Sequence, residues 1–278
     1  EGSSVAWPER FNRDELSAIQ HAMNLRFRSE TSFFAEYQNE PLDSASDDAQ
    51  LASADEIMKK ISRVRRGMVP IPATRLTGFI DVSQKVLWWL VCAWEDDFTG
   101  YVVDYGTWPD QGRQYFALGN LTNTIEGNLG HLSLDAQVFQ ALQILIDQLC
   151  GKDWEREGGG HVRMDRLMID ANWGQQSDTV YAICRESVHK GLLYPSHGRY
   201  VGAAGRPFYE YTKREGERAG LMWRIARNQH RATPHVIYDT NWWKTFIHDR
   251  FAVPEGSPSA LRRSEEHTSE LQSRQYLV

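Results

Sequence analysis

The sequence has few cysteines, no long hydrophobic run and no excess of positive charge. Its three cysteines, Cys92, Cys150 and Cys184, lie far apart in apolar stretches and form no CxxC pair, which argues against a disulfide framework or a zinc site. The longest apolar stretch, residues 86–94, is about half of what a bilayer span requires. No charged-then-apolar leader opens the chain at Glu1. We therefore expect a cytoplasmic protein.

Composition sets the size of the fold and leaves its partners open. With 278 residues, 41% hydrophobic and 24% charged, the chain matches ordinary globular proteins and can bury one substantial core. A net charge of −6 argues against a nucleic-acid binder, because phosphate contacts require Lys and Arg, but the distribution of charge matters more than its total. The chain lacks a GxxxxGK[ST] phosphate loop, so we expect no ATP hydrolysis.

The two ends of the chain differ from its middle. Residues 263–278 resemble the translation of a sequencing adapter over their whole length, so we interpret them as read-through rather than as a native amphipathic tail. Residues 1–70 show scattered helical pattern and no core of their own, which predicts a connector. Pro70 and Pro72 then punctuate the chain. We predict that the folded domain occupies residues 71–262, and that the native protein extends beyond both ends of this chain.

Hydrophobic periodicity predicts alternating strands and helices after Pro72. The predicted elements are strands at 76–82, 86–94 and 101–105, a helix at 133–150 with Ser133 as N-cap, a strand at 166–171, a helix at 179–189 and a strand near 192–195. The three close strands indicate an antiparallel meander. The order β-β-β-α-β-α-β predicts an α/β fold, a ribonuclease H-like mixed β-sheet flanked by helices, in which the fourth strand lies beside and parallel to the first.

Two of the predicted strands end in the same way. Residues 79–82 read Phe-Ile-Asp-Val and residues 168–171 read Met-Ile-Asp-Ala, so Asp81 and Asp170 each close a hydrophobic strand. Burying an ionised carboxylate is unfavourable unless it is paired or bound to a metal. If the first and fourth strands are neighbours, about 4.8 Å apart, both carboxylates can reach one divalent ion.

The alternative is that each aspartate only caps the turn after it, as strand-end aspartates often do. Two aspartates in the same context within this topology favour the metal interpretation. Hard oxygen ligands of this kind prefer Mg²⁺ or Mn²⁺ to zinc. In a two-metal site such ions activate water and stabilise the leaving oxygen of a phosphodiester. Asp81 and Asp170 are therefore candidate catalytic residues and metal ligands.

Five separated segments resemble one known family, in the expected order. They are residues 33–41 (FFAEYQNEP), 76–82 (LTGFIDV), 103–109 (VDYGTWP), 167–170 (LMID) and 238–244 (YDTNWWK). The first is similar to the segment that follows the motor domain in phage terminase large subunits, and the others are similar to the nuclease domain that comes next. The resemblance covers about residues 30–262, and it identifies residues 1–70 as the connector from a missing ATPase motor domain.

This resemblance implies an Mg²⁺- or Mn²⁺-dependent endonuclease that cuts concatemeric phage DNA at the start and end of packaging in the infected host cell. It implies double-stranded phage DNA, the terminase small subunit and the portal as partners. It carries Asp81 and Asp170 over as metal ligands. The family's further acid lies near its C-terminus, past the point where residues 263–278 begin. We therefore expect this chain to be weak or inactive as a nuclease.

Asp239 is the best remaining substitute for that further acid. It follows the strand-like residues 236–238 and precedes a helical stretch. A role as helix N-cap is therefore at least as good an interpretation as metal binding. We retain Asp239 as a third catalytic candidate.

Positive charge is concentrated in one segment of an otherwise acidic chain. Residues 206–231 hold seven basic residues against three acidic ones. The basic residues are Arg206, Lys213, Arg214, Arg218, Arg224, Arg227 and Arg231. This contrast predicts a hairpin that contacts DNA phosphates beside the active site. A solvated hairpin of mixed charge fits the pattern nearly as well.

Two other functions remain open on the residues alone. A resolvase or integrase-like nuclease would keep the fold and the carboxylates, but the segment at 33–41 argues against it. A non-catalytic DNA-binding or assembly module would use the acids for structure only. Exchanging Asp81 and Asp170 for asparagine would then leave DNA-related behaviour intact.

Overall fold

The computed structural model describes residues 7–9, 11–12, 15–28, 33–34, 57, 59–113, 116–172, 174, 177–200, 208–213, 215–228, 231–254 and 256–264. The α-helices in this part of the chain are α1 (Ala18–Arg28), α2 (Ile125–Leu129), α3 (Leu134–Cys150), α4 (Ser177–Glu186) and α5 (Thr240–Ala252). The strands are β1 (Met68–Val69), β2 (Arg75–Val82), β3 (Leu87–Trp94), β4 (Gly100–Trp108), β5 (Trp154–Arg156), β6 (His161–Val162), β7 (Arg166–Asp170), β8 (Leu193–Arg199), β9 (Ala219–Gly220), β10 (Trp223–Asn228), β11 (Arg231–Asp239) and β12 (Leu261–Arg263). A 3₁₀ turn covers Phe208–Glu210.

Nine of the described strands form one mixed sheet, in the order β12-β4-β3-β2-β7-β8-β11-β10-β9. β2, β3 and β4 form an antiparallel meander, while β7 runs parallel to β2 and β8 runs parallel to β7. The five strands β4-β3-β2-β7-β8 therefore have the ribonuclease H-like arrangement, with the fourth of them in the chain beside and parallel to the first. The predicted α/β fold with a ribonuclease H-like sheet is confirmed. β1, β5 and β6 form a separate small sheet.

The main core lies between one face of this sheet and helices α3 and α4. Leu142 and Leu145 of α3 are buried against Ile80 of β2 and Ile169 of β7. α3 begins where its leucine spacing predicts. Ser133 lies at the N-cap with an extended backbone, but its side chain forms no cap hydrogen bond. The predicted helix boundary is therefore right, and the stabilising cap bond that serine usually supplies there is missing.

Alternation along β2 separates a helix-covered face from a second face. Leu76, Ile80 and Val82 are buried on the helix side, whereas Phe79 and Asp81 lie on the other side and are less buried. The same alternation holds along β7, where Leu167 and Ile169 are buried and Asp170 is less buried. The strand-end aspartate of β2 consequently points away from α3 and α4.

Helix α5 packs on that second face. Phe251 near its end contacts Leu261 of β12 and Trp94 of β3. The Trp94 indole donates a hydrogen bond to Thr77 Oγ1 at 2.7 Å, and Thr77 is on the same face of β2 as Asp81. The sheet therefore lies between two helical layers. Asp81 nonetheless remains exposed at the end of its strand.

The folded unit begins before the predicted boundary at residue 71. β1 pairs with β5, Arg66 Nε lies 2.7 Å from Asp104 Oδ1, and the Ser62 amide donates to the Arg263 carbonyl at 2.7 Å. Residues 59–70 thus pack as part of the domain. Arg263 is fully buried in β12, although read-through is predicted from residue 263. Residues 265–278 lie outside the described part of the chain.

Cysteines and tryptophans pack in different ways. The three cysteines are buried free thiols, as their apolar surroundings predict. Trp89 packs against the core, whereas its neighbour Trp88 stacks on Phe116 with ring centroids 5.4 Å apart. Among the helices that the structure describes, none has both the length and the apolar character needed to cross a membrane.

Candidate active site

Asp81 and Asp170 close two neighbouring parallel strands at the centre of the sheet. In the β2–β7 pair Ile80 lies beside Ile169, so each aspartate is the next residue on its strand. Neighbouring strands lie about 4.8 Å apart, and side chains at the same level point to the same face. The two carboxylates therefore lie side by side at one end of the sheet, on the face opposite α3 and α4.

Each of these carboxyl groups has a pKa above its ordinary value. Asp81 is open to solvent on one side, but the protein around it still desolvates the carboxyl and raises its pKa, against a smaller lowering by the Val82 amide. Desolvation is also the largest cause of the raised pKa of Asp170. Backbone hydrogen bonds from Asn172 and Ala171 partly offset this rise, and the charge of Asp81 adds to it. The two carboxylates are thus close enough to repel each other.

Among the described residues, no basic side chain neutralises this pair. Neither carboxylate forms an ion pair with a described Lys, Arg or His. Two neighbouring carboxylates without a counter-charge favour uptake of a proton or of a cation. The described residues hold no cluster of three or more His, Cys, Asp or Glu side chains suited to a metal. At this strand end the acidic donors they provide are therefore the carboxylates of Asp81 and Asp170.

Asn172 holds the end of β7 next to β8. Its backbone N–H donates to Asp170 Oδ1 at 3.3 Å, and its side-chain Nδ2 donates to the Gly198 carbonyl at 2.9 Å. Because the amide nitrogen is the donor, Asn172 Oδ1 accepts from His197 Nδ1 at 3.0 Å. His197 Nε2 then accepts from the Tyr181 hydroxyl at 2.9 Å. This chain of hydrogen bonds ties the loop after Asp170 to α4, and the sequence pattern gives no sign of it.

Tyr238 is a further polar side chain at this end of the sheet, and it directly precedes Asp239, the third predicted catalytic residue. It is level with Gly198 in the parallel β8–β11 pair. A Cβ placed on Gly198 would lie 3.1 Å from the Tyr238 hydroxyl, so the phenol leans across that glycine. Burial, then the charges of Asp170 and Asp81, raise the pKa of Tyr238 to about 12. A glycine inside a strand is the sequence signal for such a close approach.

Asp239 is the N-cap of α5. Its Oδ1 accepts from the Trp242 amide at 3.0 Å. Asp170 of β7 lies beside Ser196 of β8, and Asp239 of β11 lies beside Arg199 of β8. This offset from Ser196 to Arg199 is an odd number of residues, so strand alternation puts Asp239 on the face opposite Asp170. The geometry fits the cap interpretation, and a catalytic role for Asp239 stays a prediction.

The basic segment forms the edge of the sheet, where β9, β10 and β11 are antiparallel. Lys213, Arg218 and Arg227 are exposed there. Arg224 instead donates to the Tyr211 hydroxyl at 3.3 Å, and its guanidinium carbon lies 4.3 Å from the centre of the Tyr211 ring. The predicted hairpin is therefore present, but its basic side chains are not equivalent.

Arg224 lies on the helix-covered face of the sheet. It is level with Ile237 on β11. His235, two residues earlier on β11 and hence on the same face, contacts Tyr181 of α4 with ring centroids 5.9 Å apart. Tyr238 is on the opposite face. Arg206, Arg214, the side chain of Arg231 and residues 35–41 of the predicted motor-linker segment lie outside what the structure describes.

Comparison with known proteins agrees with this architecture. Residues 32–272 match the family model described as terminase large subunit gpA, endonuclease domain. The match spans the ribonuclease H-like sheet, both strand-end aspartates and the edge hairpin, and it confirms the resemblance seen in the sequence. No curated protein and no solved structure matched the chain. Because the family model covers most of its length, the chain belongs to the endonuclease-domain family of the terminase large subunit gpA.

Proposed function

We propose that this domain is a divalent-metal-dependent endonuclease that cuts concatemeric phage DNA during packaging, with Asp81 and Asp170 as metal ligands. Double-stranded DNA is its substrate, and the terminase small subunit and the portal are its packaging partners. Membership of the endonuclease family supports DNA cleavage. The observation that carries the choice of residues is the pair of desolvated carboxylates at matching ends of adjacent parallel strands.

This pair of carboxylates is suited to Mg²⁺ or Mn²⁺. Hard divalent cations prefer oxygen ligands, and a cation would offset both the desolvation of Asp81 and Asp170 and their mutual repulsion. Two protein ligands leave coordination positions for water and phosphate oxygens, which suits a hydrolytic site. A divalent ion held there would supply Lewis-acid chemistry to a phosphodiester. The proposed two-metal arrangement requires further ligands beyond these carboxylates.

The protein's own contribution is to hold the two carboxylates in place. β2 and β7 are paired in register up to the residue before each aspartate. Asn172 orients the Asp170 carboxylate through its backbone N–H and links the following loop to β8 through its side chain. Groups carried by paired strands are positioned more rigidly than groups on loops. The site is therefore preorganised for a ligand of fixed geometry.

Metal-dependent nicking of a supercoiled plasmid tests this proposal. The parent chain and Asp81→Asn are compared in Mn²⁺, Mg²⁺ and EDTA, and the thermal shift produced by Mn²⁺ is measured on the same samples. We expect weak nicking in Mn²⁺ or Mg²⁺ that EDTA and Asp81→Asn abolish. Mn²⁺ should raise the melting temperature of the parent only. The thermal shift needs no turnover, so it also serves if the chain is weakly active.

The same experiment separates the nuclease from a non-catalytic DNA-binding module. In such a module the acids serve structure alone, so Asp81→Asn would leave DNA binding and the response to Mn²⁺ unchanged. Nicking that persists in Asp81→Asn would end the assignment of this carboxylate. A melting curve in EDTA checks that the variant is folded before either result is interpreted.

Basic side chains of the edge hairpin are the proposed contacts to DNA phosphates, and two arginines of β10 make a matched pair. Arg227 is exposed, whereas Arg224 is held by Tyr211. Arg227→Ala should reduce the slope of log affinity against log salt by about 1, because one phosphate contact is lost. Arg224→Ala should keep the parent slope. Fluorescence anisotropy over a salt series measures both, and a parent slope in Arg227→Ala would remove that residue from the DNA interface.

A further inference from the structure

The space above Gly198 is occupied by two hydroxyl groups. A Cβ on Gly198 would lie 2.7 Å from Thr240 Oγ1 and 3.1 Å from the Tyr238 hydroxyl. The backbone of Gly198 does not adopt a positive φ, so its conformation does not require glycine. What glycine provides is room for the phenol of Tyr238 to cross β8.

Strand register places that phenol on the face of the two carboxylates. Asp170 is level with Ser196, and Tyr238 is level with Gly198, two residues farther along β8. An even offset keeps both side chains on one face. Burial, then the charges of Asp170 and Asp81, raise the pKa of this phenol, and the effect of both charges agrees with the shared face that the register gives. Tyr238 therefore presents an O–H group beside the proposed metal ligands.

This hydroxyl is available to a ligand. The side chain of Tyr238 is half-buried, and no hydrogen bond joins its hydroxyl to any other residue that the structure describes. A phenol held against a sheet loses little conformational freedom when it binds a partner, because most of its rotamer freedom is already lost. The oxygens of a DNA phosphate are acceptors, and tyrosine hydroxyls are among the groups that donate to them.

We propose that the Tyr238 hydroxyl donates a hydrogen bond to a phosphate oxygen of the DNA strand that is bound at Asp81 and Asp170. This rests on the proposed function of that pair. An uncharged donor can approach a phosphate beside two carboxylates without adding to the charge repulsion. Tyr238 thus contacts substrate, while Asp239 next to it in sequence serves as the cap of α5.

Removal of a single hydroxyl tests the proposal. The affinity of the 278-residue chain for a short fluorescein-labelled DNA duplex is measured by anisotropy in Ca²⁺, for the parent and Tyr238→Phe. The midpoint of the Mn²⁺-induced thermal shift is measured in parallel. We expect Tyr238→Phe to bind DNA about tenfold more weakly, the effect of losing one hydrogen bond to a charged group, with the Mn²⁺ midpoint unchanged.

A second tyrosine supplies the matched control. Tyr194 is also on β8, level with Met168 and on the same face as Asp170, but farther from the strand ends. Tyr194→Phe should bind DNA like the parent. Gly198→Ala is a second probe, because its methyl group displaces the Tyr238 hydroxyl. It should weaken DNA binding in the same direction as Tyr238→Phe, with melting curves confirming that each variant is folded.

Two outcomes would overturn the proposal. One is a DNA affinity of Tyr238→Phe equal to that of Tyr194→Phe. The other is a loss of DNA affinity matched by a shift of the Mn²⁺ midpoint, since the hydroxyl would then act on the carboxylates. The role of Tyr238 is decided by DNA affinity, whereas the metal-dependent nuclease is decided by plasmid nicking in Asp81→Asn. Failure of one is therefore distinguishable from failure of the other.

Discussion

Three strands of the sheet have an aspartate as their last or next-to-last residue after an apolar run, but the ends of β2 and β7 differ from the end of β11. Asp81 and Asp170 lie side by side on adjacent parallel strands, and desolvation raises the pKa of each carboxyl. The carboxylate of Asp239 accepts a hydrogen bond from Trp242 at the start of α5. The local sequences are alike, so the difference arises from what surrounds each strand end.

Level and face decide which acid can share a ligand with another. Asp81 and Asp170 directly follow the paired residues Ile80 and Ile169, so they lie at the same position along their strands and on the same face of the sheet. Asp239 lies beside Arg199 of β8, whereas Asp170 lies beside Ser196 of β8. Because these two β8 residues are an odd number of positions apart, the side chain of Asp239 is on the opposite face from that of Asp170. Tyr238, one residue earlier, takes the position on the shared face. The comparison teaches that a strand-end acid becomes a candidate ligand only when its neighbour strand presents another acid at the same level.

Exchange of each aspartate for asparagine should give the largest contrast. We expect Asp170→Asn to reduce Mn²⁺-dependent plasmid nicking by at least about 100-fold, more than the loss of an outer-shell partner brings. Asp239→Asn should leave nicking unchanged, because asparagine caps a helix as well as aspartate does. A comparable loss of nicking in both variants would make Asp239 a functional acid and break the comparison.

A smaller effect on stability tests the cap directly. Asp239→Ala should lower the free energy of unfolding by about 1 kcal/mol, because the Trp242 amide loses its acceptor. Asp239→Asn should stay close to the parent. Chemical denaturation measures both variants. If alanine is tolerated as well as asparagine, the cap contributes nothing, and Asp239 needs another explanation.

The smallest expected effect is the pH dependence of stability without metal. Folding raises the pKa of Asp81 and Asp170, so the folded protein binds these protons more tightly. The tighter proton binding adds to the free energy of unfolding. This added stability is fully present below the unfolded carboxyl pKa of about 4, and it is lost as the pH rises through the raised pKa values of the folded protein. In EDTA, the double variant Asp81→Asn, Asp170→Asn should therefore melt higher than the parent at neutral pH.

Thermal melts across a pH series check this sign. The difference in melting temperature between the double variant and the parent should shrink as the pH falls, because protonation removes the same two charges in the parent. Mn²⁺ should reverse the order at neutral pH by stabilising the parent alone. A double variant that melts below the parent in EDTA at neutral pH would show that the two carboxylates are not mutually repelling, and would weaken the contrast with Asp239.

Sequence patterns predicted the sheet well where burial dominates. The central strands and α3 appear because period-two and period-3.6 spacing of apolar residues directly reflects which side faces the core. β8 was harder to predict, because its last residues, His197, Gly198 and Arg199, are polar. β8 nevertheless continues to Arg199 in the structure, well past the predicted end near 195. Its neighbours β7 and β11 supply backbone partners on both sides.

By itself, the sequence determined the order of the five central strands and of helices α3 and α4, the chain's family, and the two aspartates at the ends of β2 and β7. These depend on local periodicity and on short motifs, which need no knowledge of neighbours. Tertiary structure alone decided that Tyr238, and not Asp239, shares the face of that pair, and that Arg224 lies apart from the exposed basic side chains. Face and level depend on the register between β8, β10 and β11, and register is set by pairing over distances that no local pattern encodes.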